Sequence, residues 1–278
     1  MREEVTEKIN ALTIERMLSG QCYCKKVECH EEIDSTNNRA KQLAEQGEPE
    51  GTLVIAKSQT AGKGRRGRSW ESEKMDGIWM SLLLRPKVKP AEVSCLTLVA
   101  AMAVAKAIQN QCSIEAKIKW PNDIVANGKK LCGILTEMNS EFDVIHSVVI
   151  GIGINVNQKA FSFELQDKAT SIFIETGQEA DRQRMIAEIM ELFSGYYKKY
   201  LQTRDMTLLL EEYNAMLVNK DREVLVYYGM VEEKRTEEAE CGIAQGIDST
   251  GALLVETMQG MRKIVSGEVS VRGIYGYV

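Results

Sequence analysis

Three short apolar runs constrain any fold this chain can adopt: TLVIAKSQ (52–59), GIWMSLLLRP (77–86) and HSVVIGIGINVN (146–157). Each is too short for a long helix, rich in β-branched or bulky residues, and bounded by polar or glycine-containing sequence, which is the pattern of a core strand. Pro86 stops the second, and a glycine-punctuated bend ends the third. Residues 91–109, rich in Ala, Val and Leu, predict a buried helix between them. Around this centre, Val5, Ile9 and Leu12 recur at helical spacing and predict one short amphipathic helix over 2–18. A strand is expected over 22–33, and Asp34-Ser35-Thr36 then caps a helix running to about Gln46. The segments 116–120 and 123–138 contain a hairpin, because Asn127-Gly128 suits a type I′ turn. Helices are expected over 181–202 and 205–218.

Beyond Asn219 the texture changes. REVLVYYG, ECGIAQGIDSTGALLVE and MRKIVSGEV read as short strands separated by Gly, Asp, Ser and Thr turns, the pattern of a small β-barrel. The chain therefore divides into 1–218, with an N-terminal helix within 1–20, and 219–278. A length of 278 residues accommodates one large and one small domain.

No apolar run approaches the roughly 18 residues needed to cross a bilayer. The opening MREEVTEKIN is too charged for a signal peptide, so a cytoplasmic, membrane-free protein is expected. The net charge of -5 argues against a broad nucleic-acid-binding surface. Seven cysteines without a C-x-x-C pair read as reduced thiols. The cluster Cys22, Cys24, Cys29 and His30 lacks the paired spacing of a zinc site, and no metal-ligand set is expected. His30 and His146 are the only histidines, which leaves little for a histidine-based mechanism.

Against that acidic background stands GKGRRGR (62–68), with four cations and three glycines in seven positions. Gly62-x-Gly64-x-x-Gly67 matches the dinucleotide fingerprint in form only. That fingerprint opens a helix packed on a sheet, and RSWESEK offers no apolar stripe. Nor does an acid stand about 20 residues on; Arg85 and Lys87 are there instead. A kinase glycine loop needs Val where Ser69 stands, and a Walker A loop needs Gly-Lys-Ser/Thr. A nucleic-acid patch is the competing reading of a bare basic run. Its place between two core strands, rather than on a tail, argues against it. Glycines interleaved with arginines suit a mobile loop whose guanidiniums close around phosphate or carboxylate. Trp70, at its end, is placed to lie over a base or to fold into an apolar seam.

Four other stretches accompany the loop. DSTN (34–37) sets two hydroxyls and an amide at a helix start, where free N–H groups add donors. KWPND (119–123) ends a strand with a lysine, a proline turn and an amide beside a carboxylate. GKKLCGI (128–134) puts Lys130 at a strand start, and GIGINVN (151–157) opens room for a flat ligand with Asn155 as reader. Taken singly, these are also an ordinary helix cap, a solvated lysine, a hairpin turn and a bulged strand. In this order and spacing, with QTAGKGRRGRSW, the set resembles biotin protein ligases over roughly residues 28–278.

The resemblance implies an α+β fold, with a mixed β-sheet catalytic domain of the class II aminoacyl-tRNA synthetase and biotin ligase type and a C-terminal SH3-like barrel. It implies biotin and ATP as substrates with Mg²⁺, and biotinyl-5′-AMP as intermediate. The implied acceptor is a lysine on a biotin carboxyl carrier protein. Ser35, Thr36, Asn37 and Gln59 match residues around biotin's ureido ring and carboxylate side. Gly62, Lys63, Gly64 and Arg65 match loop positions along the carboxylate and phosphate, and Gly133 and Gly153 also fall at biotin-binding positions. Lys130 matches the lysine that reaches carboxylate and phosphate oxygens. On the nucleotide side the matches are Arg65, Arg66, Arg68, Trp70, Lys119, Asn122, Lys130 and Asn155. Asp123 matches the carboxylate that aligns the incoming lysine. Arg65, Lys130 and Asp123 are thus the expected catalytic residues.

Lys63 is a departure, since many members carry arginine there. The segment before DSTN is another: residues 1–33 hold seven acids and five bases and predict one helix and one strand, against the winged helix of bifunctional members. No sequence-specific DNA binding is therefore expected. Monomer and homodimer both remain open. The competing readings are a lipoate or other acyl-adenylate ligase of the same fold and, more remotely, a nucleic-acid-binding regulator.

Overall fold

The computed structural model describes residues 9–72, 76–228, 239–267 and 269–273. Its centre is a seven-stranded mixed sheet in the order β1-β2-β3-β7-β6-β5-β4. β1 (Lys26–Ile33) and β2 (Thr52–Gln59) run parallel, joined by α2 (Thr36–Glu45). The other neighbours are antiparallel: β3 (Ile78–Leu84), β7 (Val144–Ile154), β6 (Lys129–Glu141), β5 (Asp123–Ala126) and β4 (Lys117–Lys119). The apolar runs are its middle strands, and every residue of β3 is buried. Asn127 and Gly128 take positive φ (47° and 76°) and form the tight β5–β6 turn.

The two faces of the sheet are covered unequally. On one face, α3 (Ser94–Cys112), α5 (Arg182–Thr203) and α1 (Ala11–Met17) share a continuous core with the strands. On the other, α2 lays Ala40, Leu43 and Ala44 on Val54, Leu83 and Val149. α2 covers only part of that face, and the remainder forms the floor of the site described below.

Three expectations need correction. Leu12 does not face the core: it is 63% exposed, and Ile14 is the buried residue of α1. The periodicity had been anchored on Val5, which lies outside the described residues. Second, the helix around α3 is long and apolar enough to span a bilayer, with a mean hydropathy of 1.7 over 18 residues. Of that window 72% is buried inside the protein, as a core helix beneath a sheet requires. The helix expected over 205–218 is shorter, α6 (Leu210–Met216), because residues before it form turns. α4 (Ile172–Thr176) is a single short turn of helix.

The C-terminal strands form a separate antiparallel sheet in the order β11-β10-β9-β8-β12. These are β8 (Arg222–Tyr228), β9 (Glu240–Ile247), β10 (Leu253–Thr257), β11 (Gly260–Ile264) and β12 (Val269–Gly273). It docks on the large sheet through Trp120, whose indole N–H donates to the Gly251 carbonyl at 3.0 Å. Gly251 has φ +79° and packs on Leu98, where a side chain would not fit.

Candidate active site

The basic segment is a small hairpin grown from the ends of β2 and β3. Trp70 N–H donates to the Gly62 carbonyl (2.9 Å), Gly64 N–H to Arg68 (2.7 Å), and Lys63 bridges Ser69. Its tip is a 3₁₀ turn, Arg65–Gly67, in which Arg66 and Gly67 both have positive φ (59° and 73°). Glycine at the second position spares the tip one strained residue. The hairpin folds over the uncovered sheet face and carries Arg65 and Trp70 onto it.

Two cavities result. The first is lined at its inner end by the buried Ser35, Thr36, Asn37 and Gln59. Lys63, Gly64, Arg65, Asn122 and Lys130 stand nearer its mouth, and Met80, Ile134, Leu135 and Ile152 supply apolar wall. The second is a larger cleft, about 1900 Å³ and open to solvent, with Arg68, Trp79, Asn155, Gln158, Phe161 and Lys168 among its walls. Only Trp70 and Lys130 line both.

The junction is built by missing side chains. Gly133 and Gly153 face each other across β6 and β7, and Trp79 is the partner of Gly153 on β3. The Trp70 ring rests on both glycines: a Cβ on Gly133 would lie 2.7 Å from the ring, and one on Gly153 2.8 Å from the indole nitrogen. Trp79 meets Trp70 edge-on at 6.3 Å, and the Lys130 ammonium stands 5.0 Å from the ring centroid. Trp70 Nε1 is buried without a hydrogen-bond partner.

The cations are held by nearby acceptors. Lys130 Nζ pairs with Asp123 at 2.7 Å. Arg65 Nη1 donates to Asn122 Oδ1 (2.8 Å), and its Nη2 to the Gly267 carbonyl of the C-terminal sheet (3.2 Å). Burial lowers the pKa of Arg65 and the neighbouring Arg66 charge adds to this, while Asp123 opposes it. Lys63 Nζ donates to Asn38 (2.5 Å). Such a site offers neutral hydrogen-bonding groups at a closed end, cations at the mouth, and an aromatic-lined cleft beyond. It suits a ligand with a polar neutral head and an anionic tail, meeting a second, flat and anionic ligand at Lys130.

Of the expected residues, Ser35, Thr36, Asn37, Gln59, Lys63, Gly64, Arg65, Lys130, Gly133 and Gly153 line the first cavity, with Asn122 and Trp70. Asn155 and Arg68 line the second. Asn155 is not a free reader of ligand edges: its amide nitrogen donates to the Thr170 carbonyl at 3.0 Å. Ser35 holds the N-cap position of α2 without a side-chain cap, and the Thr36 N–H is taken by Gln59 Oε1 (2.8 Å). Gly62 lies at the hairpin neck, tight against Trp70 and Ser72. Asp123 lines neither cavity and is paired with Lys130. Two nucleotide-side expectations fall outside both cavities. Lys119 is buried within β4, and Arg66 reaches Gly267 (3.4 Å) rather than the cleft. Among the described residues, no group of three or more His, Cys, Asp or Glu side chains could hold a metal. Burial raises the pKa of Cys24 to about 12 and that of Cys29 to about 11, with nearby carboxylates among the smaller causes, so both stay thiols.

Sequence reasoning missed Gln158, Phe161 and Lys168, which belong to an irregular segment without motif texture. It also missed Ser81 and Glu137. Ser81 did carry a signal, as the lone polar residue within the apolar run IWMSLLL.

Comparison with known proteins bears on this geometry. Residues 30–155 match the Biotin/lipoate A/B protein ligase family, and 232–272 match the Biotin protein ligase C terminal domain. The chain is 44% identical over 244 residues to the Bifunctional ligase/repressor BirA of Bacillus spizizenii, covering 86% of this chain and 72% of that protein. It is 33% identical to the Biotin--[acetyl-CoA-carboxylase] ligase of Paracoccus denitrificans, covering 86% of this chain and 98% of the relative. The Aquifex aeolicus biotin protein ligase, solved in complex with biotin and ATP, superposes with a TM-score of 0.77 at 30% identity, covering 90% of this chain and 99% of that one.

Proposed function

The chain belongs to the biotin protein ligase family, and from that membership we propose that it attaches biotin to a lysine of a biotin carboxyl carrier protein at the expense of ATP. The observation that carries the assignment of roles is the position of Lys130 at the junction of the two cavities. A carboxylate held in the first cavity and the α-phosphate of a nucleotide held in the second meet at this ammonium. Biotin's ureido ring then lies toward Thr36 and Gln59, and its carboxylate points toward Lys130.

In the first step the biotin carboxylate oxygen bonds to the α-phosphorus and the bond to pyrophosphate breaks, giving biotinyl-5′-AMP. Two anions must approach for this, and Lys130, with Arg65 at the mouth, offsets their repulsion. In the second step the acceptor amine bonds to the acyl carbon and AMP leaves. Asp123, next to Lys130, is placed to orient that amine. The mixed anhydride is prone to hydrolysis, and the Trp70 hairpin excludes water from it. The described residues supply no dedicated metal cluster, so Mg²⁺ fits this reading as part of the MgATP substrate, held by phosphate oxygens.

The reading extends to the whole chain. Residues 1–218 act as the catalytic domain and 219–278 as an SH3-like C-terminal domain. Seven free cysteines fit a reducing cytoplasm. A ligand-binding rather than a DNA-binding role for the basic hairpin is supported by Arg65, which is turned inward onto Asn122. The transfer step is tested by incubating the protein with MgATP, biotin and a carrier domain, then probing the carrier with streptavidin. Label on the carrier that requires both ATP and biotin is the expected result; an unlabelled carrier would contradict the assignment.

A further inference from the structure

Asn37 lines the first cavity, yet its amide is committed to the protein. Its Oδ1 accepts from Ser81 Oγ at 2.6 Å, and its Nδ2 donates to Glu137 Oε2 at 2.8 Å. The seat is built across three strands: Ser81 of β3, Gly151 of β7 and Leu135 of β6 stand in register. Gly151 leaves the room, since a Cβ there would lie 2.1 Å from Asn37 Oδ1. Two residues beyond Leu135, and so on the same face of β6, stands Glu137. Its other carboxylate oxygen is bound by Lys41, one helical turn after Asn37 on α2.

A carboxylate only accepts hydrogen bonds, so Glu137 forces the NH₂ side of Asn37 toward itself and the carbonyl side toward Ser81. With its one proton on Asn37, the Ser81 oxygen accepts from the Thr36 hydroxyl (2.7 Å), and the Thr36 N–H donates to Gln59 Oε1 (2.8 Å). Gln59 Nε2 in turn donates to Ser72 (3.1 Å). Six buried or half-buried side chains, Glu137, Asn37, Ser81, Thr36, Gln59 and Ser72, are thus linked along the closed end of the cavity.

We propose that Glu137 is a positioning residue for the closed end of the substrate cavity. Acting through Asn37 and Ser81, with Lys41 as its counter-ion, it sets where the Thr36 hydroxyl and the Gln59 amide stand. Glu137 does not touch the ligand; it decides the orientation of the groups that do. Burial alone would raise its pKa, but hydrogen bonds from Lys41 and Asn37 outweigh this and hold it below its ordinary value, so it remains an acceptor. This inference rests on the biotin-pocket reading above.

The test is titration of the full chain with biotin by calorimetry, together with steady-state KM and kcat for biotin and ATP. Glu137→Leu keeps the bulk but removes the acceptor, and should weaken biotin binding about tenfold, the loss of one buried charged hydrogen bond. The KM for biotin should rise in step, while the KM for ATP and the kcat at saturating biotin stay near wild type. Glu137→Gln, which can still accept from Asn37, should restore most of the affinity. Ser81→Ala should weaken biotin as well, and the double variant should lose less than the product of the two single losses. Wild-type biotin affinity in Glu137→Leu, or losses that multiply, would overturn the proposal. If Glu137→Leu does not fold, unchanged affinity in Ser81→Ala does so. A wild-type chain that takes up no biotin would instead remove the underlying reading.

Discussion

At the residue scale, the proposed mechanism makes both steps converge on Lys130. Its side chain meets Asp123 on one side and the face of Trp70 on another, and it borders both cavities. Lys130→Ala should lower the rate of adenylate formation by about two orders of magnitude, corresponding to roughly 3 kcal/mol of lost charge stabilisation. The far-ultraviolet circular dichroism should stay unchanged, because the ammonium packs at a cavity wall rather than in the core. Single-turnover formation of labelled adenylate measures this, and a rate within threefold of wild type would take Lys130 out of the chemistry. The residues legible before the structure were those in compact motifs: DSTN, the basic hairpin, KWPND. Glu137 was not. Its proposed role comes from standing beside Asn37 of α2 on one face of the sheet, a hundred positions away in sequence, and no local pattern encodes that.

At the scale of elements, α2 must hold its first turn against β1 for the closed end of the cavity to exist. Glu28 of β1 clamps Arg39 of α2 with two hydrogen bonds, to Nε (2.6 Å) and Nη2 (3.2 Å), and also meets His30 (2.6 Å). The hydrogen bond from Arg39 lowers the carboxyl pKa below its ordinary 4.5; burial opposes this, and His30 lowers it further. A carboxyl depressed in the folded state stabilises above its unfolded pKa and ceases to do so as pH falls through the folded value. Glu28→Gln should therefore cost about 1 kcal/mol near neutrality, discounted for partial exposure, with the gap to wild type closing only in acid. Urea unfolding at a series of pH values checks this, and a gap independent of pH would contradict it. The strands were the more legible elements: the run 52–59 is β2 to the residue, its buried apolar centre being Leu53–Ala56. Helix faces were less so. α1 turns Leu12 outward because its partner α5 approaches from the side of Ile14, a tertiary choice its periodicity does not record.

At the scale of the molecule, the C-terminal sheet and the basic hairpin meet at the Gly267 carbonyl, which takes Arg65 and Arg66 together. Arg65, which lines the first cavity, is thus tied to the C-terminal part of the chain, and Trp120 joins Gly251 of that part as a second contact. Sequence texture signalled the change from one part to the other near residue 219, but not this contact, which joins turns some two hundred positions apart. The central claim is that one cavity takes biotin, the other ATP, and Lys130 joins them. Its most direct measurement is exchange of labelled pyrophosphate into ATP, which requires the first step alone and no carrier. Exchange that appears on adding biotin and not on adding lipoate is the predicted result. Exchange driven by lipoate, or none with biotin present, would contradict it.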